Sequence, residues 1–312
     1  MKSLRQHTND FFSTSISNVT KKMSFLLREH VDLSKMELHQ NIQYGDHISQ
    51  VCDIWHLKKR PLPQPTILYI HGGGFRRLNK DIMWPMSYQF ANLGFTVCSI
   101  NYRLAPDFPC PSALIDVQKA YLWWVDNVPK FGGSVDRITI AGESAGANLA
   151  CGLALATCRP FSLLEDLFYR GKRPSSILAI CPFIEIEVDK RKTRHQNKTY
   201  SLQNNMVFEQ FLRNIESQYR PNKHPLGSIL HSFSHSEPYF HKMPNFYIAG
   251  GKKDPVFLDS IDLHQVLQDK KFISELHTYP AGHNFQTYLW LKQSQDFWKD
   301  LDKYLKKQHV SL

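Results

Sequence analysis

The sequence predicts an α/β protein in which a mainly parallel β-sheet is covered by helices on both faces. Two observations lead to this prediction. Short apolar runs rich in β-branched residues alternate with longer amphipathic stretches along most of the 312 residues, and several of these runs end abruptly at glycines. Because neighbouring parallel strands need a crossover connection, usually a helix, such alternation is typical of a sheet with helices on both faces.

The individual elements follow from their periodicity. Apolar β-prone runs that end at a turn are predicted as strands, and stretches whose apolar residues recur with helical spacing are predicted as helices. The predicted strands are Thr66–Ile70, Thr96–Tyr102, Arg137–Ala141, Ile177–Phe183, Phe246–Ala249 and Glu275–Tyr279. The predicted helices are Met83–Leu93, Ala113–Asn127, Ala147–Thr157, Leu258–Leu267 and Leu289–Lys306.

Two segments depart from this alternation. Roughly the first forty residues have the pattern of an amphipathic helix, which packs on the main domain, covers a pocket as a lid or lies on a membrane surface. Residues 185–236 are charged, then helical, then rich in His, Ser and Pro, which is typical of an insertion lying over the sheet. We therefore predict an N-terminal helical segment at residues 1–45 and a main domain at residues 46–312 that carries the insertion.

The net charge and the cysteine content indicate which binding partners and which cellular compartment to expect. The formal net charge is +10, but Lys and Arg are scattered and no nucleic-acid motif accompanies them, so we predict no nucleic-acid partner. The N-terminus is too polar for a signal peptide and no stretch is long enough to span a bilayer, so no membrane partner is expected. The six cysteines include no CxxC pair and are interpreted as buried free thiols, which favours a reducing, cytoplasmic location. The oligomeric state is not predicted.

A glycine-flanked serine is the first candidate for chemistry. Gly142-Glu143-Ser144-Ala145-Gly146 fits the pattern G-x-S-x-G. The motif follows a predicted strand and opens an alanine-rich helix, which is the context of a nucleophile elbow. Glycines on both sides let neighbouring backbone approach closely, and the helix N-terminus favours developing negative charge. We predict Ser144 as a nucleophile; the alternative is a tight structural turn.

A serine nucleophile needs a base and an orienting carboxylate, which in this arrangement follow in the order Ser, acid, His. Asp254 follows the predicted strand Phe246–Ala249, and His283 follows the strand that ends at Tyr279. Both therefore lie where sites in open α/β sheets gather, at the carboxyl ends of strands. Asp259 and Asp262 are rival acids, but they fall within the next helix.

Charge stabilisation is the third requirement of acyl transfer, because the tetrahedral intermediate carries an oxyanion. His71-Gly72-Gly73-Gly74 follows a predicted strand and is the type of loop that supplies backbone N–H donors in lipases and esterases. The N–H of Ala145 would add a further donor. The alternatives for the glycines are a flexible loop and a phosphate nest. His71 is interpreted as a structural loop residue.

Five segments together resemble one family. The segments are His71–Phe75, Asn101–Pro111, Phe131–Asn148, Asp254–Asp259 and Gly282–Phe285. They are similar to the hormone-sensitive-lipase-like branch of the α/β-hydrolase esterases, over the chain from about Thr66 to the C-terminus. The departures, such as Glu143 where many members have Asp, remove no catalytic atom.

The resemblance implies the α/β-hydrolase fold with a helical cap, built from the N-terminal helices and the insertion. It also implies Ser144, Asp254 and His283 as a catalytic triad, and Gly73, Gly74 and Ala145 as oxyanion donors. No cofactor and no metal are expected.

The sequence thus predicts a serine carboxylic-ester hydrolase, esterase or lipase-like, that forms an acyl-enzyme with a small-molecule ester. Two alternatives remain. One is a non-catalytic ligand-binding protein of the same fold, and the other is a hydrolase of amides, lactones or carbamates, because the same residues serve acyl transfer in general. The acyl chain length, the alcohol group and the physiological substrate are not predicted.

Overall fold

The structure is a computed structural model that describes residues 18, 22, 24–29, 31–160, 172–195, 206–224, 227, 229–234 and 239–310. Within these residues, eight strands form one sheet in the order β1-β2-β4-β3-β5-β6-β7-β8. The strands are β1 Met36–Gln43, β2 Val51–Leu57, β3 Gln64–Ile70, β4 Thr96–Ile100, β5 Gly133–Glu143, β6 Ser176–Ile180, β7 Asn245–Gly251 and β8 Ser274–Tyr279. Strands β3 to β8 run parallel, and β2 is antiparallel to both of its neighbours.

Helices cover both faces of this sheet. The described α-helices are α1 Trp84–Asn92, α2 Ser112–Asn127, α3 Ala145–Cys158, α4 Val188–His195, α5 Met206–Tyr219, α6 Ile229–Ser234, α7 Phe257–Asp269 and α8 Lys292–Val310. Short 3-10 turns occupy Val128–Phe131 and Phe285–Thr287. The apolar side chains form two cores, one on each side of the sheet. The predicted α/β class with a mainly parallel sheet is therefore confirmed.

The N-terminal region needs a correction. The helical pattern was predicted over roughly forty residues, but Met36–Gln43 forms the edge strand β1, paired with β2. The reason lies in its alternation, since Met36 is buried while Glu37 is exposed, as expected for a strand with one covered face. Residues 24–27 are helical. The apolar positions Phe11, Phe12, Ile16, Val19 and Met23 lie outside the described residues.

The described residues between β6 and β7 form helices and add no strand to the sheet. Three helices, α4, α5 and α6, occupy most of its described part. They lie within residues 185–236, where an insertion is predicted, and the bounds of that insertion stay a prediction. Among the described residues, no helix combines the length and the apolar composition that crossing a membrane requires.

A buried ion pair anchors this segment to the main domain. The guanidinium of Arg191, on α4, lies 2.6 Å from Asp259 Oδ1 on α7, and both side chains are buried. The other carboxylate oxygen of Asp259 accepts hydrogen bonds from the backbone N–H groups of Ile184 and Glu185. Asp259 therefore holds the chain that leaves β6 as well as the first inserted helix.

We expect the Asp259→Ala variant to lose about 3–5 kcal/mol of free energy of unfolding, because Arg191 would remain buried without its partner. Urea denaturation followed by circular dichroism measures the loss. The double variant Asp259→Leu/Arg191→Met is the control, since replacing both charges with apolar side chains of similar size costs less. A loss below about 1 kcal/mol for Asp259→Ala, as for an exposed pair, would contradict this role.

Candidate active site

Ser144 stands in a sharp turn between β5 and α3. Its backbone has φ 53° and ψ −119°, a region that residues other than glycine rarely occupy. Such a conformation costs about 1–3 kcal/mol and persists only where surrounding contacts impose it. Here the Ser144 N–H donates to Ile180 O at 2.9 Å, and Ser144 O accepts from the Phe183 N–H at 3.1 Å. The end of β6 thus fixes the turn from the side.

The two glycines of the turn are required by close backbone approach. A Cβ atom on Gly146 would lie 2.1 Å from Ile70 O, at the end of β3. A Cβ atom on Gly142 would lie 2.2 Å from Gly146 O. Because such distances are far below van der Waals contact, only glycine at both positions lets the serine turn over the strand end.

The glycine loop that follows β3 lies against the serine turn. A Cβ atom placed on Gly72 would be 3.1 Å from Ser144 Cβ. Gly73 and Gly74 have φ values of +106° and +62°, which turn successive peptide groups in directions that other residues seldom allow. Ala145 begins α3, so its N–H belongs to the first helical turn, where N–H groups have no partner within the helix. The structure thus brings Gly72 and the start of α3 together beside Ser144, with Gly73 and Gly74 next in the loop.

His71, directly before this loop, is part of its support. Burial lowers the pKa of His71 to about 4, so the ring is neutral near pH 7. Its Nδ1 lies 2.8 Å from Gly72 O, and its ring stacks on Tyr102 at 4.4 Å between centroids. The Tyr102 hydroxyl donates to His71 O at 2.9 Å. These contacts agree with the interpretation of His71 as a structural residue.

Helix α5 of the inserted segment lies over the glycine loop. Phe75 stacks on Tyr219 with ring centroids 3.7 Å apart, and both side chains are buried. A Cβ atom on Gly74 would lie 3.1 Å from Ile215 Cδ1. Arg76 Nη1 donates to Gln218 Oε1 at 2.7 Å. The loop is therefore held between the sheet below and α5 above.

Asp254 and His283 are directly bonded to one another. The distance between His283 Nδ1 and Asp254 Oδ2 is 2.7 Å. Asp254 follows β7 and His283 follows β8, as predicted, and the two loops are linked by a hydrogen bond from the Lys253 N–H to Ala281 O at 2.9 Å. The other oxygen of Asp254, Oδ1, accepts from the Val256 N–H at 2.9 Å. Asp254 is thereby oriented towards the imidazole.

The surroundings of His283 raise its affinity for a proton. Burial alone lowers the pKa of His283, but the Asp254 carboxylate outweighs this effect through its charge and its hydrogen bond, and Glu143 and Asp259 add to it. The net pKa lies above the ordinary histidine value of 6.5. A stronger base is better suited to take a proton from a hydroxyl group.

The rival acids have other partners. Asp259 is bound to Arg191, as described above, and Asp262 Oδ2 lies 2.6 Å from His195 Nε2. Both residues are on α7, on the side that faces the inserted segment. The structure therefore joins only Asp254, of the three acids considered, to His283.

A buried carboxylate beside Ser144 was not predicted to have a role. Burial raises the pKa of Glu143, whose Oε2 accepts a hydrogen bond from Gln286 Nε2 at 2.9 Å. The backbone carbonyl of Gln286 in turn accepts from Ser294 and Trp298. This chain of contacts connects the serine turn to the loop that carries His283. The sequence held a signal for Glu143, which lies inside the motif, but none for Gln286.

A cysteine also lies next to the Asp254–His283 pair. Cys181 Sγ, a carboxylate oxygen of Asp254 and a ring nitrogen of His283 lie within 4.8 Å of one another. Burial, followed by the nearby charge of Asp254, raises the pKa of the Cys181 thiol well above its usual value, so the sulfur is protonated near neutral pH. A metal in this position would need the atoms that now form the Asp254–His283 hydrogen bond. The expectation of no metal and no cofactor stays a prediction.

The family model described as alpha/beta hydrolase fold matches residues 67–287, which is more than half of the chain. The chain belongs to the alpha/beta hydrolase fold family. The matched region begins at β3, before the glycine loop, and ends just after His283. It therefore spans the serine turn, the glycine loop and the Asp254–His283 pair of this hydrolase-fold chain.

Curated relatives within this group are named esterases and lipases. Esterase LipC of Mycobacterium tuberculosis is 26% identical over 259 residues, covering 79% of this chain and 59% of its own. Hormone-sensitive lipase of Ictidomys tridecemlineatus is 39% identical over 133 residues, covering 40% of this chain and 16% of its own. The resemblance to the hormone-sensitive-lipase-like branch is thus confirmed. The chain spans less than two thirds of the length of these relatives.

Solved structures share the fold over nearly the whole chain. Esterase B from Lactobacillus rhamnosis has a TM-score of 0.79 at 17% identity, covering 99% of this chain and 98% of its own. Esterase LipW from Mycobacterium marinum has a TM-score of 0.75 at 21% identity, covering 95% and 90%. At these identities the likeness establishes the alpha/beta hydrolase fold and not the substrate.

Proposed function

We propose that this protein is a serine carboxylic-ester hydrolase in which Ser144, His283 and Asp254 act as nucleophile, base and orienting acid. The observation that carries the proposal is the 2.7 Å hydrogen bond between His283 Nδ1 and Asp254 Oδ2. It forms at the carboxyl ends of the strands, where Ser144 lies in its strained turn. The names of the curated relatives support the same class of reaction.

The chemistry follows from the orientation of the imidazole. Because Nδ1 of His283 donates to Asp254, the second nitrogen, Nε2, carries the lone pair and serves as the base. Ser144 Oγ attacks the acyl carbonyl while Nε2 takes its proton, and the same proton then passes to the departing alcohol. Water repeats the sequence on the acyl-enzyme, which releases the acid and restores Ser144. Asp254 stays ionised throughout and stabilises the imidazolium.

The oxyanion of each tetrahedral intermediate needs donors that are already in place. We assign this role to the backbone N–H groups of Gly73, Gly74 and Ala145, with Gly72 providing the close approach of the loop to Ser144. The helix dipole of α3 acts in the same direction. Each such donor contributes roughly 3–4 kcal/mol to lowering the barrier.

We assign access to the site to a cap formed by the N-terminal segment that precedes β1 and the insertion, residues 185–236. The N-terminal part of the cap ends before residue 45, because Met36–Gln43 belongs to the sheet. Two contacts support this assignment. Helix α5 lies over the glycine loop, and the N-terminal helical residues line a small surface cleft together with the chain that follows His283. The residues that line this cleft are Ser24, Leu27, Ile82, Met83, Pro85, Thr287 and Tyr288. We assign small-molecule esters as substrates because the nucleophile lies beneath this cover and is 7% exposed.

A substrate panel tests the proposal. Purified protein is assayed with p-nitrophenyl esters from acetate to palmitate and with the matched p-nitroanilides. Hydrolysis of one or more esters at rates well above those of the anilides supports the ester hydrolase. Preferred cleavage of anilides, lactones or carbamates would assign a different bond to the same residues. No turnover together with no labelling by a fluorophosphonate would favour a ligand-binding protein.

The activity is expected to depend on pH through His283. The base must be neutral to accept the serine proton, so kcat/KM falls as the pH drops through the pKa of His283 in the free enzyme. Since that pKa is raised, the midpoint of the acid limb should lie above 6.5. A profile from about pH 5 to pH 8 in buffers of constant ionic strength measures it. A midpoint at or below the ordinary histidine value would contradict the geometry described for Asp254.

A further inference from the structure

A second group of metal-ligating side chains lies on the first two strands of the sheet. Glu37 and His39 belong to β1, and His56 belongs to β2. One carboxylate oxygen of Glu37 and one ring nitrogen of each histidine lie within 4.8 Å of one another. No step of the proposed reaction uses these residues.

The register of the two strands explains why they meet. Glu37 is paired directly with His56 across the antiparallel ladder. Glu37 and His39 are two positions apart on one strand, so their side chains point to the same face. The distance between His39 Nε2 and Glu37 Oε1 is 3.4 Å, and the rings of His39 and His56 are 5.6 Å apart between centroids. Backbone pairing therefore holds all three side chains on one face of the β1–β2 ribbon.

The surroundings of these three side chains orient His56 and leave His39 and Glu37 open to solvent. His56 is buried, and its Nδ1 lies 3.1 Å from Leu57 O, where an N–H at Nδ1 would leave the lone pair on Nε2. Metal-ligating histidines are commonly oriented by a carbonyl in this way. The His39 ring packs edge-on against Phe131 at 5.2 Å. The side chains of His39 and Glu37 are 39% and 48% exposed, so an ion can enter from solvent.

We propose that Glu37, His39 and His56 bind a zinc-type divalent cation that links the edge strand β1 to β2. Two imidazoles and one carboxylate, with water in the fourth position, are a ligand set that zinc uses in proteins. Imidazole favours zinc over magnesium or calcium, which prefer oxygen ligands. The nearby guanidinium of Arg60 donates a hydrogen bond to Thr96 Oγ1 at 2.8 Å, and the negative charge of Glu37 acts on this guanidinium.

The location separates this group from the proposed reaction. His56 lies next to Trp55, which pairs with Val97 near the start of β4. Ser144, in contrast, follows the carboxyl end of β5 in the same sheet. A cation on Glu37, His39 and His56 therefore affects the stability of the β1–β2 ribbon and leaves hydrolysis at Ser144 unchanged.

The other edge of the sheet provides a matched control. Glu275 and His277 on β8 have the same spacing, and Glu275 Oε2 lies 3.3 Å from His277 Nε2. Within the described part of the chain, however, groups of three ligands form only at Glu37, His39 and His56 and at the Cys181 position. The Glu275–His277 pair thus tests whether two neighbouring ligands are sufficient to bind zinc.

Zinc titration of tag-free, metal-free protein tests the proposal. Isothermal titration calorimetry and thermal unfolding compare wild type with His39→Ala, Glu37→Gln and His277→Ala. We expect zinc to bind wild type and His277→Ala equally and to raise the Tm of both. The His39→Ala and Glu37→Gln variants, changed at partly exposed side chains, should lose one equivalent or bind it at least about tenfold more weakly. Their ester hydrolysis without zinc should equal that of wild type.

Two results would overturn the proposal. One is an unchanged zinc stoichiometry and affinity in both His39→Ala and Glu37→Gln. The other is an equal loss in His277→Ala, which would show binding by scattered surface histidines. Zinc held at Cys181, Asp254 and His283 would instead inhibit hydrolysis equally in wild type and all three variants. Because the readout is zinc binding, the test is independent of the proposed ester hydrolase function.

Discussion

Replacement of Ser144 with alanine is expected to lower kcat for p-nitrophenyl ester hydrolysis by roughly 10⁵–10⁶-fold. The variant lacks the oxygen that attacks the carbonyl, while the glycine loop and the start of α3 remain in place to bind and polarise the ester. A small rate above that of buffer should therefore persist. Alanine tolerates the positive φ of this position no worse than serine, so the Tm should be close to that of wild type. Steady-state kinetics and thermal unfolding measure the two quantities.

Covalent labelling gives this prediction a direct control. A fluorophosphonate should label wild type and the Ser134→Ala variant, because Ser134 lies near the opposite end of β5. It should not label Ser144→Ala. Full hydrolytic activity in Ser144→Ala, or labelling that persists there, would show that another residue is the nucleophile.

The Asp254→Asn variant is expected to lose about 10⁴-fold in kcat with little change in the fold. An asparagine keeps an oxygen that can accept from the Val256 N–H, so the loop should retain its shape. It no longer offers a carboxylate to His283, and its amide N–H favours the tautomer whose Nε2 carries the proton. Such an imidazole cannot accept the proton of Ser144. The loss should therefore appear in kcat, with KM much less affected.

The pH profile separates this effect from a structural one. Because Asp254 raises the pKa of His283, its removal should also move the acid limb of kcat/KM to lower pH. The Asp269→Asn variant serves as control, since Asp269 is exposed at the end of α7. An Asp254→Asn variant that kept more than a tenth of the wild-type kcat would assign the orienting role to another acid.

The sequence predicted the parallel part of the sheet and the order of Ser144, Asp254 and His283 along the chain. These features are encoded locally. Strands β3 to β7 contain short apolar runs, and the serine turn carries its own glycines. The carboxyl ends of parallel strands lie at the same end of a sheet. Three side chains placed just after β5, β7 and β8 are therefore brought to the same region.

Other features depend on contacts between distant parts of the chain and were not predictable from local patterns. Gln286 meets Glu143 across 143 positions, and Arg191 meets Asp259 across 68. Neither Gln286 nor Arg191 lies in a recognisable motif. The helical pattern predicted for the N-terminal region is wrong over β1, because the short alternation of this strand follows a longer amphipathic stretch. In each case the tertiary arrangement selects one partner among many that the sequence allows.

The packing of α5 on the glycine loop couples acyl-chain-length preference to turnover, two properties that are usually engineered separately. Ile215 and Tyr219 shape the space above the loop, and the same side chains press on Gly74 and Phe75. Trimming Ile215 to admit a longer acyl group would also release the peptide groups assigned to hold the oxyanion. Acyl-chain-length preference and kcat should therefore change together. In such variants a broader range of acyl chains should come with a lower kcat, unless a second substitution restores the packing of α5 on the glycine loop.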